Sequence, residues 1–185
     1  MTNVFLIHGA YGHPEENWFP WIKGKLEKLG YNVFIPYFPT PKNQNLDAWI
    51  QTFKNYKKYI NKDSIVIGHS LGVPFLLSFL ETLEIKIKAS FFISGFVDLL
   101  GNEFDSGIST FVSKKFDFEQ IRKNGGNFYI FHSDNDPYVK IEQAQKLSNF
   151  LKNELILIKN AGHFNKDSGY LQFDLLFDKI KTTDL

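Results

Sequence analysis

The sequence has no cysteine and a single methionine in 185 residues. Without cysteine there are no disulfides, no thiolate nucleophile and no cysteine-ligated metal. Nor is there a charge excess: 21 Lys and Arg face 20 Asp and Glu, for a formal net charge of +1. No basic block breaks the scatter of lysines, so neither a nucleic acid nor an anionic membrane is indicated as a partner. No apolar run approaches the ~20 residues that a membrane-spanning helix needs. The opening MTNVFLIHGAYG carries one short apolar run, without a basic region before it and with a histidine behind it. It reads as a first strand, not as a secretion signal. These absences leave a soluble, cytoplasmic protein as the expectation.

What is present is apolar and aromatic. Hydrophobic residues make up 43% of the chain and aromatics 17%, enough for a well-packed core. Six short apolar runs recur: VFLIHG (4–9), NVFIPY (32–37), SIVIGH (64–69), ASFFIS (89–94), NFYIFH (127–132) and ELILIK (154–159). Runs of this kind, without polar alternation, suit strands buried on both faces of a parallel sheet. Between them, residues 18–30, 46–60, 71–83, 141–153 and 170–181 repeat their apolar positions with helical period. Strand and helix alternating along the whole chain predict right-handed βαβ units. The expected fold is therefore α/β: a three-layer α/β/α sandwich around a mostly parallel sheet of about six strands. One domain over 1–185 is expected. Residues 98–126 fit least well; their weak periodicity predicts one short helix (near 107–114 or 116–123) and a loop, the candidate for a short cap.

In an open parallel sheet, reactive groups gather beyond the carboxyl ends of the strands. All five histidines (His8, His13, His69, His132, His163) close predicted strands or lie in the loops that follow them. The stretch SIVIGHSLGVPFLLSFL reads as strand, sharp turn and helix, with Ser70 between Gly68 and Gly72. A lone G-x-S-x-G arises by chance in roughly one chain in fifteen to twenty of this length, so its context has to decide. That context suits a nucleophile: small neighbours permit a strained turn, and the following helix start offers N–H donors. A serine nucleophile needs a base, and the base an orienting acid. SDNDPYVK after the fifth run offers Asp134 and Asp136, and NAGHFN after the sixth offers His163. Serine, acid and histidine come in the α/β-hydrolase order, each directly after a buried strand. HGAYG at 8–12 supplies Gly9 for close approach and the Ala10 N–H, which with the Leu71 N–H would form an oxyanion hole.

Taken together, HGAYGHPEENWFPWI, GHSLG, SDNDPYV and AGHF resemble the small α/β-hydrolases that include YdeN-like proteins and the retinoblastoma-binding serine hydrolases. The resemblance covers nearly the whole chain. It implies a minimal α/β-hydrolase fold with Ser70 as nucleophile, Asp136 of the D-P-x-V motif as acid and His163 as base, and it implies no cofactor. The retinoblastoma partner is not implied, because the L-x-C-x-E motif it needs contains a cysteine. Pro137 also pushes Asp136 toward extended backbone, aimed across the strand end, whereas Asp134 is expected to bond its own turn. The pocket is expected to involve Gly9, Tyr11, His69, Phe96 and Phe164, with Trp18 as a further aromatic wall. A small ester is the expected substrate, with thioester or amide as variants, handled by a monomer or homodimer. Two rivals remain: a non-catalytic binding protein on the same fold, and a metal site built from His8, His13, His69, His132 and Asp134.

Overall fold

The computed structural model describes residues 2–184. Six strands form one sheet: β1 (Asn3–Ile7), β2 (Asn32–Phe34), β3 (Ile65–His69), β4 (Ala89–Ile93), β5 (Asn127–Ser133) and β6 (Leu155–Ile158), in the order β2-β1-β3-β4-β5-β6. Every neighbouring pair is parallel, so all six strands end on one edge. The reversal of strand order between β1 and β3 opens a crevice there, where such folds place their ligands.

Side-chain alternation along the strands divides the core in two. Phe5, Ile7, Val66 and Phe92 face one layer; Val4, Leu6, Ile65, Ile67, Phe91 and Ile93 face the other. The first layer is covered by α2 (Leu46–Phe53), α3 (Gly72–Glu81), α4 (Asp105–Val112), α5 (Phe118–Asn124) and α6 (Ile141–Leu151). The second is covered by α1 (Phe19–Glu27) and α7 (Asp174–Lys181). Helix α3 is apolar all round, and its residues from Gly72 to Leu80 are buried; it therefore lies at the centre of its layer, behind Ser70.

Two expectations are corrected. The helical period over 46–60 gives α2 only as far as Phe53, followed by a turn and a short 3-10 turn at Lys57–Tyr59. Residues 98–126 contain two short helices, α4 and α5, where one was expected. The second starts on Asp117, whose carboxylate accepts the Glu119 and Gln120 N–H groups at 3.1 and 3.0 Å. A capped helix of seven residues needs little periodicity to form, and in α5 the cap supplies much of what the apolar pattern lacks.

Candidate active site

Ser70 follows β3 directly and has a left-handed backbone, φ +53°. A non-glycine residue held there costs about 1–3 kcal/mol, and the surrounding structure must impose it. Backbone does so from two sides. The Ser70 N–H donates to the Ile93 carbonyl at 2.9 Å, and the Ser70 carbonyl accepts the Val73 N–H at 3.0 Å. The glycines bring strand and helix together: a Cβ on Gly68 would lie 2.9 Å from the carbonyl atoms of Gly72. Gly9, in the loop after β1, also approaches closely: its Cβ would stand 3.1 Å from the Ser70 Cβ, tighter than an ordinary contact.

The histidine is held by different means. His163 Nδ1 lies 2.8 Å from Asp136 Oδ2 and 3.0 Å from Oδ1, leaving Nε2 as its free ring nitrogen. The Asp136 side chain is fully buried. Its Oδ1 also accepts the Tyr138 and Val139 N–H groups at 3.0 Å each. Burial by itself would raise the Asp136 pKa; the hydrogen bond and charge of His163, with the two backbone donors, outweigh it and hold the carboxyl below its ordinary range. Tyr138 places its ring edge-on to the imidazole, 5.0 Å between centroids.

Three neighbours of Asp136 fix the backbone that carries His163. Asp134 Oδ1 accepts the Asn160 N–H at 2.8 Å, Ser133 Oγ the Ala161 N–H at 2.9 Å, and Asn135 Oδ1 the Gly162 N–H at 2.8 Å. Ser168 Oγ takes the His163 N–H at 3.2 Å. Asp134 thus bonds the neighbouring loop and not its own turn, correcting the sequence expectation. Ser133, Asn135 and Ser168 were missed because serines and asparagines around a strand end look like ordinary turn residues.

Of the other histidines, the buried His8, His69 and His132 hold backbone, while His13 lies on the cavity. His8 Nδ1 donates to the Gly9 carbonyl at 2.8 Å while Nε2 accepts the Phe38 N–H at 3.3 Å, which together require a neutral ring. Desolvation, only partly offset by the Gly9 bond, lowers its pKa to about 4. His69, fully enclosed, is lowered to about 3 by burial first and by the neighbouring His163 second. Its Nε2 donates to the His163 carbonyl at 2.8 Å, tying the serine turn to the histidine loop. His132 donates from Nε2 to the Val139 carbonyl at 3.0 Å, and burial lowers its pKa as well. His13 is exposed, with Nδ1 accepting the Glu15 N–H at 3.2 Å. With these rings committed to separate loops, the metal arrangement is not assembled: among the described residues no group of three or more His, Asp or Glu is gathered to hold an ion.

A cavity of about 540 Å³ opens at this edge, lined by Gly9, Ala10, His69, Ser70, Leu71, Phe96 and His163 among others. That volume lies within the range of small-molecule sites. Three expected lining residues are elsewhere. Phe164, at φ +50°, turns away from the cavity and stacks on Phe173 at 5.2 Å. Trp18 is buried in the same layer, with its indole N–H donating to the Phe164 carbonyl at 2.9 Å. Tyr11 is half-exposed and lies beside Phe104 and Gly107 outside the cavity, because its backbone N–H is drawn to Gln44 Oε1 at 2.9 Å. In their place Leu100, Phe104, Ile108, Tyr138 and Val139 line it.

The sequence model of one protein family, serine hydrolase, matches residues 4–182. The chain belongs to the serine hydrolase family. Among curated relatives of these hydrolases, the YdeN protein of Bacillus subtilis (strain 168) is 27% identical over 179 residues, covering 96% of this chain and 93% of its own. Serine hydrolase RBBP9 of Rattus norvegicus is 25% identical over 166 residues, covering 88% of this chain and 87% of its own. The crystal structure of the B. subtilis ydeN gene product superposes with a TM-score of 0.93 at 25% identity, over 99% of this chain and 98% of that one. Est1E of Butyrivibrio proteoclasticus, a structure with ferulic acid bound, shares the fold at a TM-score of 0.76 and 20% identity, over 98% of this chain and 87% of its own. The α/β-hydrolase fold and the YdeN-like kinship are thereby shown, and with them a hydrolase.

Proposed function

We propose that the protein hydrolyses a small carboxylic ester, with thioester or amide as chemical variants, through an acyl-enzyme on Ser70. The observation that carries this reading is the His163–Asp136 pair, 2.8 Å apart, on the cavity that also holds the left-handed Ser70. His163 Nε2 takes the Ser70 Oγ proton as Oγ bonds the acyl carbon. Asp136 holds the ring in the tautomer with Nδ1–H and stabilises the imidazolium. The oxyanion turns to the N–H groups of Ala10 and Leu71, the second being the N-cap residue of α3, where N–H groups lack intrahelical partners. The tetrahedral adduct collapses as Nε2–H protonates the leaving oxygen, and the carbonyl–oxygen bond breaks. Water, deprotonated by the same nitrogen, then releases the acid and restores Ser70.

A fluorophosphonate probe tests this. Labelling of the wild type and none of Ser70→Ala, at unchanged thermal stability, is the expected result. An unlabelled wild-type protein, or p-nitrophenyl ester hydrolysis that persists in Ser70→Ala, would leave a non-catalytic binding role or a different nucleophile.

A further inference from the structure

Acyl transfer divides a cavity by role. The leaving oxygen must come within reach of the nitrogen that protonates it, while the acyl carbon stays on the nucleophile. One wall here continues the histidine loop: Asn165, Lys166 and Asp167 follow His163 closely, and the Lys166 N–H donates to Asn17 Oδ1 at 2.8 Å. That bond joins them to Glu15 and Glu16, in the loop after β1. A second wall is built from Phe96, Leu100, Phe104 and Ile108. Phe104 meets the Tyr138 ring edge-on at 5.6 Å, and the neighbouring Asn102 donates to the Tyr138 carbonyl at 3.2 Å.

The two walls differ in chemistry. The cavity's Asp, Glu and Lys side chains are Glu15, Glu16, Lys166 and Asp167, with His13 beside them, all on the first wall: three carboxylates against one ammonium and one imidazole. The second wall presents hydrocarbon. A charged acyl group would lose its water there with nothing to replace it. A leaving group beside His163 would instead meet hydrogen-bonding and acidic side chains.

From this division, and resting on the serine-hydrolase reading, we infer that the substrate is an ester with an apolar acyl group and a polar leaving group that carries positive charge. The acyl group lies along Phe96, Leu100, Phe104 and Ile108. The leaving alcohol lies between the 15–17 and 165–167 segments.

Butyrate esters of choline and of 3,3-dimethylbutanol, its uncharged isostere, test the polar wall, and choline esters of increasing acyl length test the apolar one. Ratios of kcat/KM within one protein cancel any loss of folded enzyme. In Glu15→Gln/Asp167→Asn the choline-to-neutral ratio should fall roughly fivefold, as two exposed charges warrant, with the acyl-length profile unmoved. In wild-type protein the same ratio should shrink at high salt. Phe104→Ala should shift the profile toward longer acyl chains and leave the choline ratio alone. A ratio indifferent to both carboxylates, or effects exchanged between the two variants, would overturn the inference while Ser70 still takes the fluorophosphonate label. Absence of that label would overturn the hydrolase reading and this inference with it.

Discussion

Two loop systems meet at the cavity, and they are held in place differently. The serine turn is positioned by exclusion: Gly68 against Gly72, Gly9 against the Ser70 Cβ, with backbone bonds on either side. The His69 ring ties it to the histidine loop, but its own shape is set by backbone. The histidine loop is positioned by acceptors: Ser133, Asp134 and Asn135 each take one N–H from residues 160–162, and Asp136 takes the imidazole. The difference predicts separable failures. Changes in the turn should cost stability, because backbone cannot yield; changes in the acceptors should cost turnover in a folded protein.

The largest effect should come from the acceptor that touches the base. Asp136→Asn leaves the shape intact but presents an amide N–H or a neutral oxygen to Nδ1, misassigning the tautomer. Turnover should drop by up to ~10⁴-fold, the loss the same change causes in the serine-protease triad. Asp134→Asn keeps an acceptor for the Asn160 N–H, so steady-state kinetics should place it within about threefold of wild type. A crippled Asp134→Asn beside a near-normal Asp136→Asn would exchange their roles.

Acid should act on both systems at once, through the buried rings that tie them down. Unfolded histidines take up a proton near pH 6.5, whereas His8 resists until about 4 and His69 until about 3. The unfolded chain therefore binds more protons across that window, and stability is fullest above pH 6.5 and declines as pH falls. At pH 5 each ring should cost about 2 kcal/mol relative to pH 7. Asp136, lowered in the folded state, adds a loss of the same sign at lower pH still. Urea denaturation at pH 7 and pH 5 measures the sum, and coincident midpoints would show that the folded protein accepts those protons in place.

Within the turn, Gly72→Ala is the sharpest probe, since its added methyl would run into the Ile7 and His8 carbonyl oxygens. A cost of about 2–3 kcal/mol is expected, or roughly 5–10 °C in Tm for a chain of this size. A melting point unchanged by Gly72→Ala would mean that the turn is looser than its geometry, and the contrast with the histidine loop would fail.

The same contrast explains what the sequence made legible. The six strands could be read because both sheet faces are covered, so continuous runs such as VFLIHG have no reason to alternate. Ser70, Asp136 and His163 could be read as candidates because each follows such a run, and strand ends converge in a parallel sheet. The acceptors at 133–135 could not, because which serine or asparagine meets which N–H depends on the register between two loops. Nor could the facing of Phe164 be told from that of Phe96, which lines the cavity. Both follow strands, but a left-handed backbone at Phe164 sends its ring to the opposite layer. The five histidines were legible in position only, since His8, His69 and His132 are spent on backbone carbonyls.

The smallest expected effect tests whether the acceptors matter individually. Asn135 Oδ1 takes the N–H of Gly162, which has φ +54° and immediately precedes His163. Asn135→Ala leaves that donor without its side-chain partner and loosens the loop's path into the imidazole, yet Asp136 still anchors the ring. Turnover should fall by roughly threefold to tenfold, the worth of one hydrogen bond, far short of the Asp136→Asn loss. Asn135→Asp separates support from charge. Its carboxylate restores an acceptor for Gly162 and should recover most of the rate, while the added negative charge near His163 should move the rising limb of the kcat/KM–pH profile to higher pH. Recovery of rate together with that shift is the signature of a positioning residue. An Asn135→Asp protein as slow as Asn135→Ala would mean that the side chain's shape, and not its acceptor, holds the loop.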